Sequence, residues 1–311
     1  VLGKGIIGVE ELAKFLGVKH CITTTSGTMA LSLALLANGV KAGDLVLIPN
    51  ITMMSTQASV DLLGAKPIHI DVDPRNLCLD LKRTKDYIEH GNIKAIIYVT
   101  LNGRSHSDEE LDDFKRYCKL YEVAFIEDNA QSFGSKTNNY KRISCGEENI
   151  GCFSLSFHKL LSTGQGGFCV TNNDNLNIRL RELKNVGRVE GGADVHERFG
   201  INCKFTDIQA IIGMVELKDM DNKIIQKRNI FNTYRDNLSD IKEIQFINTN
   251  LNVVTPWFVD LYCERREELQ QYLKNNGIGT RAIYPELTSQ KLNEKWLHPK
   301  SLKVSGGYCK K

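Results

Sequence analysis

Residues 94–128 read KAIIYVTLNGRSHSDEELDDFKRYCKLYEVAFIED. Two apolar runs of strand length, ending at Thr100 and Asp128, flank a segment over 108–121 whose opening carboxylates, SDEELDDF, suit a helix N-terminus. Strand, helix and strand in this order make the unit of a parallel sheet. The same rhythm extends outward over residues 20–185. HCITTT (20–25), DLVLIPN (44–50) and KPIHIDV (66–72) precede the quoted stretch, and CFSLSF (152–157) and GFCVT (167–171) follow it. Helical segments over 27–38 and 53–63 lie between the earlier strands. Seven strands imply one large α/β domain with a mainly parallel sheet.

Beyond it the pattern changes. The helical run from Thr206 to Leu238 is long for a globular helix, so it should contain a bend or break. Short strand candidates EIQFI (243–247), WFVDLYC (257–263) and TRAIYP (280–285) follow, with a helix ERREELQQYLKNNG ending at Gly277, as in a small α+β domain. The expected division is residues 1–210 as the large α/β domain and 211–311 as connector helix and small domain.

Composition narrows the classes. With 311 residues, 41% hydrophobic, the chain can bury a large core. A net charge of +3, spread without a basic patch, argues against nucleic acid as partner. Nine cysteines without a CxxC pair read as reduced core residues of a cytoplasmic protein, and no metal is expected. No apolar stretch approaches the roughly 20 residues that span a bilayer, so no membrane association is expected. Gly3-Lys4-Gly5-Ile6-Ile7-Gly8 fits GxGxxG, but no strand precedes it. It reads as a flexible lead-in to a helix near 9–16 rather than a dinucleotide site.

Three separated features carry chemistry. Lys159 follows the strand CFSLSF and precedes the glycine turn Thr163-Gly164-Gln165-Gly166-Gly167, which lets it project into a cleft, although from position alone it reads as a solvated lysine. Asp128 ends an apolar strand, where open α/β sheets place their ligand crevice; a helix cap is the plainer reading. Ser26-Gly27-Thr28 joins a strand to a helix, so free N–H groups and a hydroxyl meet at a helix N-terminus, a phosphate site or an ordinary cap. An amine, a carboxylate and a phosphate cradle are what pyridoxal-phosphate chemistry requires.

With SGT, EDNAQ and SFHK…TGQGG in this order, the chain resembles the pyridoxal-phosphate-dependent sugar aminotransferases of the DegT/DnrJ/EryC1/StrS family. Pro49-Asn50-Ile51-Thr52, Gly200-Ile201-Asn202, Thr206-Asp207-Ile208-Gln209-Ala210 and Gly277-Ile278-Gly279-Thr280-Arg281 with Tyr284-Pro285 extend the likeness over nearly the whole chain. The resemblance implies an aspartate-aminotransferase-type fold (fold type I) and a homodimer with active sites at the subunit interface. It makes Lys159 the Schiff-base lysine and general base, Asp128 the partner of the pyridinium, and Gln131 the partner of the ring hydroxyl. Gly27, Thr28 and Ser154 would hold the phosphate, and Asn202 would reach the phosphate of the neighbouring subunit's cofactor. Met53 stands where the family usually stacks an aromatic on the ring, so weaker stacking is expected. Relatives carry further residues at both ends, so a truncated chain is expected.

The resemblance also makes L-glutamate the amino donor and a nucleotide-linked keto-sugar the acceptor. Leu101-Asn102-Gly103-Arg104-Ser105, the glycine turn and Asn202-Cys203-Lys204-Phe205-Thr206-Asp207 look most like the 4-aminotransferases that make perosamine on a GDP carrier. UDP- or dTDP-4-keto-6-deoxyglucose is the alternative. Lys204 and Arg281 are candidates for the sugar diphosphate. His158 is a candidate substrate contact, although alternation at a strand end favours its pointing away. His196 lies in a loop that would cover the sugar. A sugar dehydratase with the same cofactor is a rival, but those relatives carry histidine in place of the lysine. A non-catalytic cofactor or sugar-nucleotide sensor is another.

Overall fold

The capping of the quoted helix is as its acidic opening predicts: Ser107 Oγ accepts from the Glu110 N–H (3.3 Å) and Glu110 Oε2 accepts from the Ser107 N–H (3.0 Å), a capping box. A computed structural model describes residues 4–136, 149–188, 194–196, 198–293, 302, 304 and 305. In chain order its elements are α1 (Lys4–Leu16), β1 (His20–Thr24), α2 (Gly27–Ala37), β2 (Leu45–Pro49), α3 (Met54–Asp61), β3 (Lys66–Ile70), α4 (Leu81–His90) and β4 (Ile93–Val99). Then follow α5 (Asp108–Leu120), β5 (Ala124–Asp128), β6 (Ile150–Ser154), β7 (Gly167–Thr171), α6 (Asp174–Lys184), α7 (Asp207–Lys218) and α8 (Met220–Asn237). The chain closes with β8 (Ile244–Phe246), β9 (Leu261–Cys263) and α9 (Arg266–Asn275).

All seven expected strands form one sheet, ordered β1-β7-β6-β5-β4-β2-β3. Only β7 runs against its neighbours, pairing antiparallel with β1 and β6. Register sets Val99 opposite Asp128 and Asp128 opposite Cys152, so the ends of β4, β5 and β6 share one edge. Alternation divides β4 between two cores. Ala95, Ile97 and Val99 pack with Leu33, Ile48 and Ile126, whereas Ile96 and Tyr98 pack with Leu47, Phe114 and Phe125. Each such fully buried side chain stabilises the fold by roughly 1.5–3 kcal/mol. A third cluster stacks Phe153 on Phe168 and carries Leu12 and Leu16 of α1 beside Met220 and Ile224 of α8.

The long C-terminal helix breaks as expected. Asp219, with φ −98° and ψ 11°, separates α7 from α8. Three expectations need correction. The glycine-rich N-terminal stretch is already helical from Lys4, so it is part of α1 rather than a flexible lead-in. Only residues 261–263 of WFVDLYC form a strand, because the Trp257 and Phe258 N–H groups donate to Asn102 Oδ1 instead of a sheet partner. TRAIYP forms no strand: Ile283 and Tyr284 pack on a small cluster around Ile51, Val72 and Leu101. Seven cysteines are free and buried; Cys145 and Cys309 lie outside the described residues. Among the described residues no helix is long and apolar enough to cross a membrane.

Candidate active site

Asp128 ends β5 and is buried. Its Oδ2 accepts from Thr56 Oγ1 (3.0 Å) and its Oδ1 from the Ala130 N–H (3.1 Å), both neutral donors. Burial raises its carboxyl above the ordinary range, while these bonds and the charge of Lys159 pull it back. A buried anion so placed is completed by a cation, the role a protonated ring nitrogen fills. Lys159 lies in the turn after β6, where burial lowers its amine to about 8, opposed by the attraction of Asp128. Among the described residues its Nζ faces the Trp257 ring, 3.7 Å from the centroid.

The residues expected to hold a phosphate come together at the start of α2. Ser26 caps the helix through Oγ, which accepts from the Met29 N–H, leaving the first-turn amides of Gly27 and Thr28 without helical acceptors. A Cβ at Gly27 would lie 2.9 Å from that of Ser154, and one at Gly167 would lie 2.5 Å from the Ser26 carbonyl. Glycine at both positions therefore lets the end of β6 and the start of β7 close on the helix N-terminus, where the Ser154 hydroxyl joins the amides. The turn after Lys159 is pinned as well: Gly166 has φ 145°, and Gln209 of α7 donates through Nε2 to Gln165 O (2.7 Å).

Gln131 is buried; its Oε1 accepts from the Asn102 N–H (3.0 Å) and its Nε2 reaches Tyr284 Oη at 3.5 Å. The residues present thus fit pyridoxal phosphate: a buried carboxylate, a buried amide, an amine with a lowered pKa, and an anion-binding helix start. Met53, 41% exposed, sits at the N-cap of α3. His158 does not turn away, since the strand has ended at Ser154; its ring stacks on Trp257 at 5.3 Å. Burial and the charges of Lys159 and Arg281 lower its pKa.

Other expected residues stand further out. Arg281 is exposed, over the Tyr284 ring at 5.7 Å. Asn202 is exposed, and its Oδ1 accepts from the Lys204 N–H (3.4 Å), while Lys204 Nζ donates to Asn185 Oδ1 (3.5 Å). His196 bonds the Val186 carbonyl at 2.7 Å; residues 189–193 of its loop lie outside the described residues. Sequence reasoning missed Thr56 and Trp257 as site residues and gave Asn102 no structural role. Thr56, in the first turn of α3, shares a hydrogen bond of 2.9 Å with Thr52 Oγ1 just ahead of the helix, and no local signal marks its approach to Asp128; Trp257 lay hidden in a supposed strand.

This geometry accords with what the chain is similar to. The model of the DegT/DnrJ/EryC1/StrS aminotransferase family matches residues 9–311. The chain belongs to this family. It is a pyridoxal-phosphate-dependent aminotransferase with the fold type I architecture. It is 33% identical over 290 residues to the UDP-2-acetamido-2-deoxy-3-oxo-D-glucuronate aminotransferase of Pseudomonas aeruginosa, covering 92% of this chain and 78% of that protein. It is 32% identical over 287 residues to the GDP-perosamine synthase of Escherichia coli O157:H7, covering 91% and 77%. The crystal structure of a family aminotransferase from Brucella abortus superposes with a TM-score of 0.89 at 27% identity, over 100% of this chain and 84% of that one.

Proposed function

We propose that this aminotransferase moves an amino group from L-glutamate to C4 of a nucleotide-linked 4-keto-6-deoxyhexose, with a GDP-linked sugar of the perosamine type favoured. The observation that carries the reading is the Lys159 amine, lowered to about 8 beside the buried Asp128 carboxylate. When bound, pyridoxal phosphate supplies an electron-accepting ring that stabilises negative charge at the carbon losing its proton. Lys159 would anchor it covalently through Nζ and, as the free amine, would take the proton from the donor carbon and deliver it to the cofactor carbon in the same half-reaction. The acceptor half-reaction runs the same transfer in reverse. A pKa near 8 leaves a useful fraction of neutral amine at neutral pH. Asp128 would hold the positive charge on the ring nitrogen, Gln131 would bond the ring hydroxyl, and Gly27, Thr28 and Ser154 would bind the phosphate.

The UDP-linked reading has its own support, since relatives named for UDP- and GDP-linked sugars stand at 33% and 32% identity. The likeness of Leu101-Asn102-Gly103-Arg104-Ser105, the glycine turn 163–167 and Asn202-Cys203-Lys204-Phe205-Thr206-Asp207 to the perosamine-forming 4-aminotransferases favours GDP. Lys204 and Arg281, both exposed cations, would contact the diphosphate, His158 the sugar, and His196 the covering loop. The division near residue 210 and a cytoplasmic location belong to the same reading; seven free buried thiols fit a reducing compartment. So does a homodimer. Ile208, Ile211, Ile212 and Val215 form an exposed stripe on α7, and an apolar helix face of this kind suits burial against a second copy. Asn202 lies just before that helix, exposed, as a residue reaching a neighbouring site must.

Glutamate supplied with GDP-, UDP- and dTDP-linked 4-keto-6-deoxyhexoses side by side tests the reading. The fastest amine formation is expected with the GDP sugar. Equal rates with all three overturn that preference, and a deoxygenated product without amine overturns amino transfer to the sugar.

A further inference from the structure

Asn102 joins two walls of the site. It is fully buried and stands in the left-handed region at φ 53°, ψ 32°, which asparagine tolerates better than most residues. Its backbone N–H donates to Gln131 Oε1. Among the described residues its side chain bonds only the segment 257–260. Oδ1 accepts from the Trp257 N–H (2.8 Å) and Phe258 N–H (3.0 Å), and Nδ2 donates to Phe258 O (2.9 Å) and Asp260 Oδ1 (2.9 Å). A primary amide has two donor hydrogens and two acceptor lone pairs, so all are engaged. Buried Arg104 adds a fork onto the same carboxylate, Nη1 to Asp260 Oδ1 (3.0 Å) and Nη2 to Oδ2 (2.6 Å), and ties its Nε to Asn76 O (3.1 Å).

These bonds hold a segment that no strand supports, and the segment carries Trp257. Its Nε1–H donates to His158 O (2.9 Å), and its ring lies 3.7 Å from Lys159 Nζ. We propose that Trp257 is a positioning residue whose indole face holds the free Lys159 ammonium, aimed there by Asn102 and the Arg104–Asp260 pair.

A proton-transferring amine passes between neutral and charged forms, and the two surroundings of Nζ act oppositely on them. Burial disfavours the ammonium. The negative face of an indole attracts a cation and has little effect on a neutral amine, so Trp257 steadies Lys159 in the protonated state and limits how far burial depresses it. The idea rests on Lys159 being the reactive amine. Its test reads that amine without any substrate, so failure here leaves the choice of donor and sugar untouched.

The test is competitive acetylation of the cofactor-free full chain by acetic anhydride from pH 6 to 11, with the Lys159 peptide quantified by mass spectrometry against exposed Lys41. Lys159 of the wild type is expected to titrate below the ordinary lysine range. Trp257→Leu, which keeps an apolar wall but removes the π face, should lower the Lys159 midpoint by about one pH unit, tenfold in proton affinity. Trp257→Phe should stay within about half a unit of wild type. Asn102→Gly, which accepts the left-handed backbone and removes the amide without adding charge, should shift the midpoint down in the wild-type background and add nothing in the Trp257→Leu background. Should Asn102→Gly not fold, Asp260→Asn replaces it with the same expectation. An unchanged or raised midpoint in Trp257→Leu overturns the proposal, since a ring that merely excluded water would raise it on removal. A full further shift from the second substitution in the Trp257→Leu background overturns the part given to Asn102 and Asp260.

Discussion

Lys159 and Lys184 have the same chemistry in isolation, and burial lowers both amines to about 8. They differ in what meets the nitrogen. Lys184 ends α6 and donates through Nζ to Thr23 O (2.9 Å) and Thr23 Oγ1 (3.3 Å), fixing the helix end to β1, with Cys21, Cys169 and Cys203 close enough to act on its charge. Lys159 sits on a turn at the sheet edge, and among the described residues its nitrogen meets an aromatic face and the field of Asp128 rather than fixed acceptors. A depressed pKa therefore marks burial in both. Reactivity needs in addition a nitrogen not committed to structural bonds and an anion placed for a partner.

Exchanging the two roles by mutation breaks the comparison most sharply at Lys159. Lys159→Ala should lose amino transfer by at least about a thousandfold, because one group both anchors the cofactor and moves the proton. Product amine measured by chromatography decides it; a variant keeping a tenth of the rate would mean another base serves the site. Asp128→Asn comes next. The Asn Oδ1 can still accept from the Ala130 N–H and its Nδ2 can donate to Thr56 Oγ1, so the fold persists, but the charge is gone and the rate should fall on the order of a hundredfold.

Thr56→Val sharpens the same point with a smaller effect. The hydroxyl stabilises the ionised Asp128, whose carboxyl burial already raises. Its removal raises the carboxyl further, so the ionised form is lost at higher pH as the medium is acidified. The acid limb of kcat against pH should move up by about half a unit to one unit, with little change at alkaline pH. A limb that stays in place, or moves down, would show that Asp128 does not control it.

How much of this was legible follows from the kind of signal each residue carries. The seven strands were readable because apolar runs bounded by turns survive any tertiary context, and GFCVT matches β7 residue for residue. Lys159, Asp128 and Ser26-Gly27-Thr28 drew notice because each sits at an element end next to local punctuation, but position alone favoured plainer readings, and the family resemblance gave them, and Gln131, their expected roles. Trp257 was not readable, since its place depends on the hydrogen bonds its segment makes with Asn102, 155 residues before it. A run such as WFVDLYC has strand composition, and nothing within it reveals that Asn102 has taken its amides. His158 failed for a related reason: alternation holds only inside a strand, and β6 had ended at Ser154.

Lys184→Met gives the smallest effect on chemistry and the strictest check of the contrast. Amino transfer should stay within about twofold of wild type, because Lys184 serves the join of α6 to β1. Stability should respond to pH instead. In the fold the amine titrates near 8, against 10.5 for an unperturbed lysine, so between these values the unfolded chain binds a proton that the folded chain does not. Wild-type stability relative to Lys184→Met must then rise as pH climbs from 8 to 10.5 and level off on either side. Thermal midpoints of both proteins across that window measure it. A flat difference would show that Lys184 is not held in a depressed state. A tenfold fall in activity would show that the second buried lysine also serves the site, and the distinction drawn from fixed acceptors would fail.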